Sequence, residues 1–139
     1  MRILGIDYGS KRIGVAVSDP LGMIAQGIAV IDKNETFEQD IGRLKQVMEQ
    51  YQGIKEIVVG LPKTMKGEIG IQANKVLEFV AALKKNFELK ISTWDERLTT
   101  AEAEKLLISA GLSRQKRKKV IDKSAAAYIL QGYLDGKKR

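Results

Sequence analysis

Strand-like and helix-like segments follow one another along this chain in an order that few folds accommodate. Residues 2–7, 12–18 and 23–31 are short apolar or alternating runs separated by turns, which is typical of strands. Strands joined by turns pair antiparallel, whereas strands separated by a helix pair in parallel through crossovers. The order therefore predicts an antiparallel meander followed by parallel strands in one mixed α/β sheet.

Helical spacing of apolar residues alternates with strands in the rest of the chain. A Thr99-x-x-Glu102 capping box also predicts the start of a helix. The predicted elements after the meander are helix 35–52, strand 54–59, helix 71–87, strand 89–94, helix 99–110 and helix 122–134. This pattern predicts a five-stranded mixed sheet with helices on both faces. The length of 139 residues suits a single domain over residues 1–139.

Cys and His are both absent from the sequence. Their absence excludes disulfides, thiol nucleophiles, Ser-His-Asp and Cys-His mechanisms, and metal sites built on sulfur or imidazole. Any polar chemistry must come from carboxylates, Lys, Arg, hydroxyl groups, the backbone or a bound ion. No secretory signal and no apolar run long enough to span a bilayer is present, so we expect a cytoplasmic protein without membrane association.

Positive charge is concentrated near the carboxyl terminus. Residues 111–139 hold nine basic and two acidic side chains and thus carry the whole net charge of +7. Such a segment attracts phosphate chains, although a solvated tail that keeps the protein soluble has the same composition. The candidate nucleic-acid-binding residues in this segment are Arg114, Lys116, Arg117, Lys118 and Lys119.

Carboxylates stand at positions where strands end and the last helix begins. Asp7 ends the first strand, Asp95 and Glu96 end the last strand, and Asp122 opens the last helix. Sites in open α/β sheets form beyond the carboxyl ends of strands, and alternation lets only one of Asp95 and Glu96 face such a site. Clustered carboxylates repel one another unless a cation binds, and oxygen ligands select Mg²⁺ or Mn²⁺. Any one of these acids alone is more often a turn or capping residue, so their joint placement carries the prediction.

The first acid belongs to a D-x-G-x-x-x-x-G motif that spans residues 7–14. Gly9 permits a turn, and Gly14 permits close approach in the facing strand. The motif is neither a Walker A loop nor a G-x-G-x-x-G fingerprint, so P-loop and Rossmann folds lose support.

Four stretches of the sequence together resemble the YqgF family of RuvC-like nucleases. They are residues 4–16, 58–62, 95–100 and 122–130, and they span nearly the whole chain in the order of the family. The resemblance implies a ribonuclease H-like fold and a divalent-metal-dependent nuclease that uses Mg²⁺ or Mn²⁺. It implies that Asp7, Glu96 and Asp122 are the catalytic and metal-ligating acids.

The same resemblance implies a nucleic-acid substrate, either branched DNA or the 5′ end of the precursor of small-subunit ribosomal RNA. A pre-ribosomal particle is then a candidate partner. RuvC-type resolvases carry a further acid one turn after the first acid of the last helix, where this chain has Ala125. Junction resolution is therefore less well supported than nuclease activity. The sequence allows a monomer or a homodimer, and a symmetric dimer would favour junction resolution.

Further residues are candidates for contacts with substrate. Lys11 and Arg12 follow Asp7 and can hold phosphates, or they are simply an exposed hairpin pair. Arg97 can pair with a carboxylate or the scissile phosphate. Lys63 and Lys66 belong to a glycine-containing loop, residues 60–70, that either closes on nucleic acid or is an ordinary surface loop.

Two aromatic residues flank the acids. Tyr8 and Trp94 can stack on bases, although a strand tryptophan is more often part of the core.

Two other functions compete with a nuclease. A non-catalytic nucleic-acid-binding factor in ribosome assembly would use the basic segment and would show salt-sensitive binding without turnover. A sugar-kinase or actin-like ATPase shares the fold and the Asp-x-Gly opening, but it needs two such domains to enclose a nucleotide. A chain of 139 residues has room for one.

Overall fold

The computed structural model describes residues 1–62, 66–96 and 125–137. Among these residues, no helix has the length and apolar character needed to cross a membrane. In chain order the elements are β1 (Arg2–Tyr8), β2 (Arg12–Ser18), β3 (Ala25–Asp32), α1 (Phe37–Met48), β4 (Ile54–Leu61), α2 (Ile71–Asn86), β5 (Lys90–Asp95) and α3 (Ala125–Lys137). The predicted helix 99–110 and the start of the predicted helix 122–134 lie outside the described residues.

The five strands form one mixed sheet in the order β3-β2-β1-β4-β5. β2 pairs antiparallel with both β1 and β3, whereas β1 and β5 each pair in parallel with β4. The predicted combination of a meander and parallel strands is confirmed. It places the carboxyl ends of β1, β4 and β5 at the same edge of the sheet.

Several predicted boundaries were displaced by local hydrogen bonding. The third strand starts at Ala25 instead of residue 23, because the Asp19 carboxylate accepts the backbone N–H groups of Met23 and Ile24 at 2.7 and 2.8 Å. These bonds hold the segment as a turn, and they lower the pKa of Asp19. The first helix begins only after the Thr36 cap and ends at Met48 instead of residue 52.

Helices cover both faces of the sheet, as predicted. α1 and α2 pack on one face around Phe79, Leu44 and Val15, which are fully buried. α3 packs on the other face, where Leu130 and Ala126 meet β1 and β2. The start of α3 consequently lies over the edge at which β1 ends.

Buried and partly buried polar contacts fix α3 on the sheet. Glu56 of β4 is only 3% exposed; it accepts a hydrogen bond from the hydroxyl of Tyr133 and pairs with the ammonium of Lys137 at 3.2 Å. Gln131 accepts the backbone N–H of Ala25 at 2.9 Å and donates to the carbonyl of Met23 at 3.0 Å. These bonds set the position of the helix along the sheet.

Tyr133→Phe should reduce the free energy of unfolding by about 1.5–3 kcal/mol, because the buried Glu56 carboxylate loses a hydrogen-bond donor. Urea unfolding measures the effect. Tyr51→Phe, on the face that α1 and α2 cover, is the matched control and should change little. If both substitutions lower the free energy of unfolding equally, the hydrogen bond from Tyr133 to Glu56 makes no specific contribution to stability.

Candidate active site

Two acidic side chains meet at the carboxyl edge of the sheet. Asp7 is the penultimate residue of β1, and Glu96 directly follows β5. β4 lies between these strands, yet a side-chain hydrogen bond joins the two carboxyl groups. The structure therefore brings together two of the three acids that the sequence singled out.

Gly60 of β4 leaves the space through which Glu96 reaches Asp7. A Cβ atom at this position would lie 2.6 Å from Oε1 of Glu96 and 2.6 Å from Cδ1 of Ile129. The sequence predicted Gly60 as the first residue of a loop. This prediction is wrong, because β4 extends to Leu61 and Gly60 is a strand residue. An isolated glycine in a strand often marks close approach by another group, and that signal was present in the sequence.

Burial and mutual repulsion hold a proton at this pair. Desolvation is the main cause that raises the pKa of Glu96, to about 7, and the charges of Asp7 and Asp95 add to it. Desolvation also raises the pKa of Asp7, whereas the hydrogen bond from Glu96 acts in the opposite direction. Below about pH 7 and without a bound cation, Glu96 is therefore the group of the pair that carries the proton and can donate it to the Asp7 carboxylate.

The donor set suits a hard divalent cation. Both groups are carboxylates that are partly removed from water, and a cation would replace the proton between them. Within the described part of the chain, no three Asp or Glu side chains gather as a metal site. Asp122, the third predicted ligand, lies outside the described residues, three positions before α3 begins.

The start of α3 packs beside Asp7. A Cβ atom at Gly14, the register partner of Asp7 on β2, would lie 3.4 Å from Cβ of Ala126 and 3.6 Å from Cβ of Asp7. The turn between β1 and β2 is closed by a 2.9 Å hydrogen bond from the Gly9 N–H to the carbonyl of Arg12. This turn places Arg12 close to Asp7, and both line one groove.

The predicted substrate-binding residues fall into two groups. Lys11 and Arg12 are exposed in the turn beside Asp7, and Lys66 is exposed in the segment before α2. The others lie outside the described residues; they are Lys63, Arg97, Arg114, Lys116, Arg117, Lys118 and Lys119.

The prediction that Tyr8 can stack on bases is wrong. Tyr8 directly follows Asp7, so its side chain points to the opposite face of the sheet. It is 6% exposed and stacks on Phe79 with ring centroids 4.3 Å apart, and the ammonium of Lys33 lies 3.9 Å from the ring centre. Trp94 packs edge-to-face on Tyr133 at 5.8 Å, so its structural interpretation is favoured.

For the nuclease activity that the sequence resemblance implies, Gly60→Ala should slow cleavage by about 10²-fold, because the new methyl group displaces the Glu96 carboxylate from Asp7. Overpacking should cost about 1–3 kcal/mol of stability. Gly42→Ala is the control: a Cβ there meets no described atom within 4 Å, and this exposed helical site should tolerate alanine. Initial rates at saturating metal measure the effect, and equal rates for both variants would contradict the role of Gly60.

The strand order defines a mixed α/β domain with the ribonuclease H-like fold that RuvC also has. One solved structure of this fold is Thermus thermophilus RuvC, which aligns with a TM-score of 0.56 over 95% of this chain and 92% of that one at 14% identity. A family model described as "RuvX: Holliday junction resolvase" matches residues 1–136. The chain belongs to this family, which is also called the YqgF family.

Curated relatives match over nearly the full length. The chain is 57% identical over 135 residues to a protein of Desulforamulus reducens, covering 97% of each chain. It is also 57% identical over 136 residues to a protein of Clostridium acetobutylicum, covering 97% of this chain and 98% of the relative. Both relatives are named "Putative pre-16S rRNA nuclease". The chain is thus a member of a nuclease family.

Proposed function

We propose that this protein is a divalent-metal-dependent nuclease that hydrolyses phosphodiester bonds in structured nucleic acid. The observation that carries the proposal is the pair of adjacent, partly buried carboxyl groups of Asp7 and Glu96 at the carboxyl edge of the sheet. Burial and like charge at this pair favour binding of a cation, because uncompensated buried carboxyl groups destabilise a fold. Family membership supports the same reaction class.

Asp7 and Glu96, together with Asp122, would hold Mg²⁺ or Mn²⁺. Such an ion supplies polarisation of water and of phosphate oxygens. The chain's own side chains then have separate tasks. Glu96 would have to lose its proton to ligate the ion, and Arg12 and Lys11 would supply positive charge for phosphates beside Asp7.

The proposed substrate is the precursor of small-subunit ribosomal RNA, cut at its 5′ end, with the pre-ribosomal particle as a partner. The names of the close relatives support this choice. Branched DNA is the second candidate, because the family model carries the description of a Holliday junction resolvase. Resolution of a junction would require a symmetric dimer that presents two sites.

Cleavage of two labelled substrates tests the proposal. A ribosomal RNA precursor and a four-way DNA junction are each incubated with Mg²⁺, Mn²⁺ or a chelator. We expect metal-dependent cutting of the precursor at its 5′ end. Metal-dependent cutting of the junction alone would replace the substrate, whereas salt-sensitive binding without any cutting would favour a non-catalytic assembly factor.

A further inference from the structure

A groove runs from Asp7 across β2 to the edge strand β3. It has a volume of about 1090 Å³, and residues of α3 form its wall. Pockets for small ligands have volumes of about 300–1,000 Å³, so the groove is large enough for part of a nucleic-acid strand. Arg12 stands at its rim, and Asp7 is one of its lining residues.

The described floor of the groove carries small or apolar side chains. Register places Asp7, Gly14 and Val30 side by side on the face that carries α3. Gly14 adds no side chain, and Val30 is 67% exposed. At Gly14 the start of α3 covers the floor, whereas among the described residues the floor is open at Val30, so a planar group can rest against Val30.

The wall supplies an aromatic ring. Tyr128 of α3 lines the groove, is only partly buried, and follows three small residues at the start of the helix, Ala125, Ala126 and Ala127. Its side chain therefore borders the groove and is partly exposed. Aromatic rings beside a groove that holds the backbone of a single strand are common platforms on which unpaired bases stack.

We propose that this groove binds an unpaired nucleotide adjacent to the scissile phosphate, with the base against Tyr128 and Val30 and a phosphate toward Arg12. The inference deepens the proposed nuclease function and rests on it. The groove is continuous with the candidate site at Asp7, so a strand lying in it presents its next phosphate to the acids. It takes a base that has left the helical stack, which favours a single-stranded segment over a duplex.

Binding without cleavage tests the groove directly. Wild-type protein in chelator is titrated against labelled hairpin RNAs with a three-nucleotide unpaired tail at the 5′ or the 3′ end, and anisotropy gives Kd. A strand enters the groove with one polarity, so only one of the two hairpins, either the 5′-tailed or the 3′-tailed one, should place its tail there. Tyr128→Ala should raise the Kd for that hairpin by about 10-fold, which is the scale of one lost stacking contact. Tyr128→Phe keeps the ring and should bind like wild type. Tyr51→Ala, on the opposite face, is the control for truncating a half-buried tyrosine.

A tail of abasic nucleotides supplies the second arm. Replacing the normal tail by the abasic tail should weaken binding to wild type about as much as Tyr128→Ala weakens binding of the normal tail. Tyr128→Ala with the abasic tail should bind no more weakly than either single change, because both remove the same contact. Additive losses, or equal binding by Tyr128→Ala and wild type, would overturn the inference. A change in native mass caused by Tyr128→Ala with RNA binding unaltered would also overturn it and assign the groove to a protein contact. If the two losses of affinity are not additive but the protein cuts neither the ribosomal RNA precursor nor the DNA junction, base binding in the groove is supported and the proposed nuclease activity is refuted.

Discussion

Replacement of Asp7 by Asn is expected to abolish metal-dependent cleavage, by more than about 10³-fold, and to leave nucleic-acid binding largely intact. The amide has nearly the shape of the carboxylate but no charge. The substituted side chain and Glu96 together therefore no longer provide the two negative charges that attract a divalent ion. Binding should persist because phosphate contacts come from basic side chains such as Arg12, which the change does not touch. Single-turnover cleavage rates and anisotropy titrations measure the two effects.

Asp135→Asn is the matched control for this substitution. Asp135 is exposed near the end of α3, ten residues after the start of the helix that packs beside Asp7, and accepts a hydrogen bond from Gln131 at 3.1 Å. We expect its cleavage rate to equal that of wild type. If Asp7→Asn also cleaves at the wild-type rate, Asp7 is not part of the active site, and the proposed function falls with it.

The element order was accessible from the sequence because its signals are local. Apolar periodicity and turn residues mark each strand and helix, and the alternation of strands with helices determines which pairs are parallel. Boundaries that depend on one side chain were not accessible. The late start of β3 follows from the hydrogen bonds of Asp19, which periodicity does not register.

The candidate site was predictable where topology alone decides proximity. Asp7 and Glu96 end parallel strands at one edge, so their encounter follows from strand direction. Tyr8 shows the limit: adjacency in sequence to Asp7 was taken as adjacency in space, although neighbouring strand residues face opposite sides. The groove beside Asp7 depends on how α3 packs across β2 and β3, and no local pattern encodes that contact.

Replacement of Glu96 by Gln is expected to stabilise the metal-free protein at alkaline pH. The pKa of Glu96 is raised from 4.5 to about 7, so the folded chain binds this proton more tightly than the unfolded chain. Stability therefore falls as pH rises from about 4.5 to about 7 and stays lower above that range. Gln cannot ionise and avoids this loss. Tm in chelator should rise by about 3–6 °C near pH 8 and hardly change near pH 4.5.

The same variant should cleave at least about 10²–10³ times more slowly than wild type, because a charged group at the site is lost. In wild type, protons and the divalent ion compete for Glu96. At limiting metal concentration the cleavage rate should rise between about pH 6 and pH 8, and a higher metal concentration should shift the midpoint to lower pH. If the midpoint of the pH–rate curve does not change with metal concentration, protons and the ion do not compete for Glu96.

Greater stability combined with lower activity separates a functional role of Glu96 from a structural one. A carboxyl group that serves the fold contributes stability, so its removal lowers both Tm and activity. If Glu96→Gln proves more stable and less active, the Glu96 carboxyl group beside Asp7 and Gly60 lowers stability and serves the binding of a cation or substrate. Added Mg²⁺ should accordingly raise the Tm of wild type more than that of Glu96→Gln. Equal shifts in Tm would mean that the ion binds elsewhere.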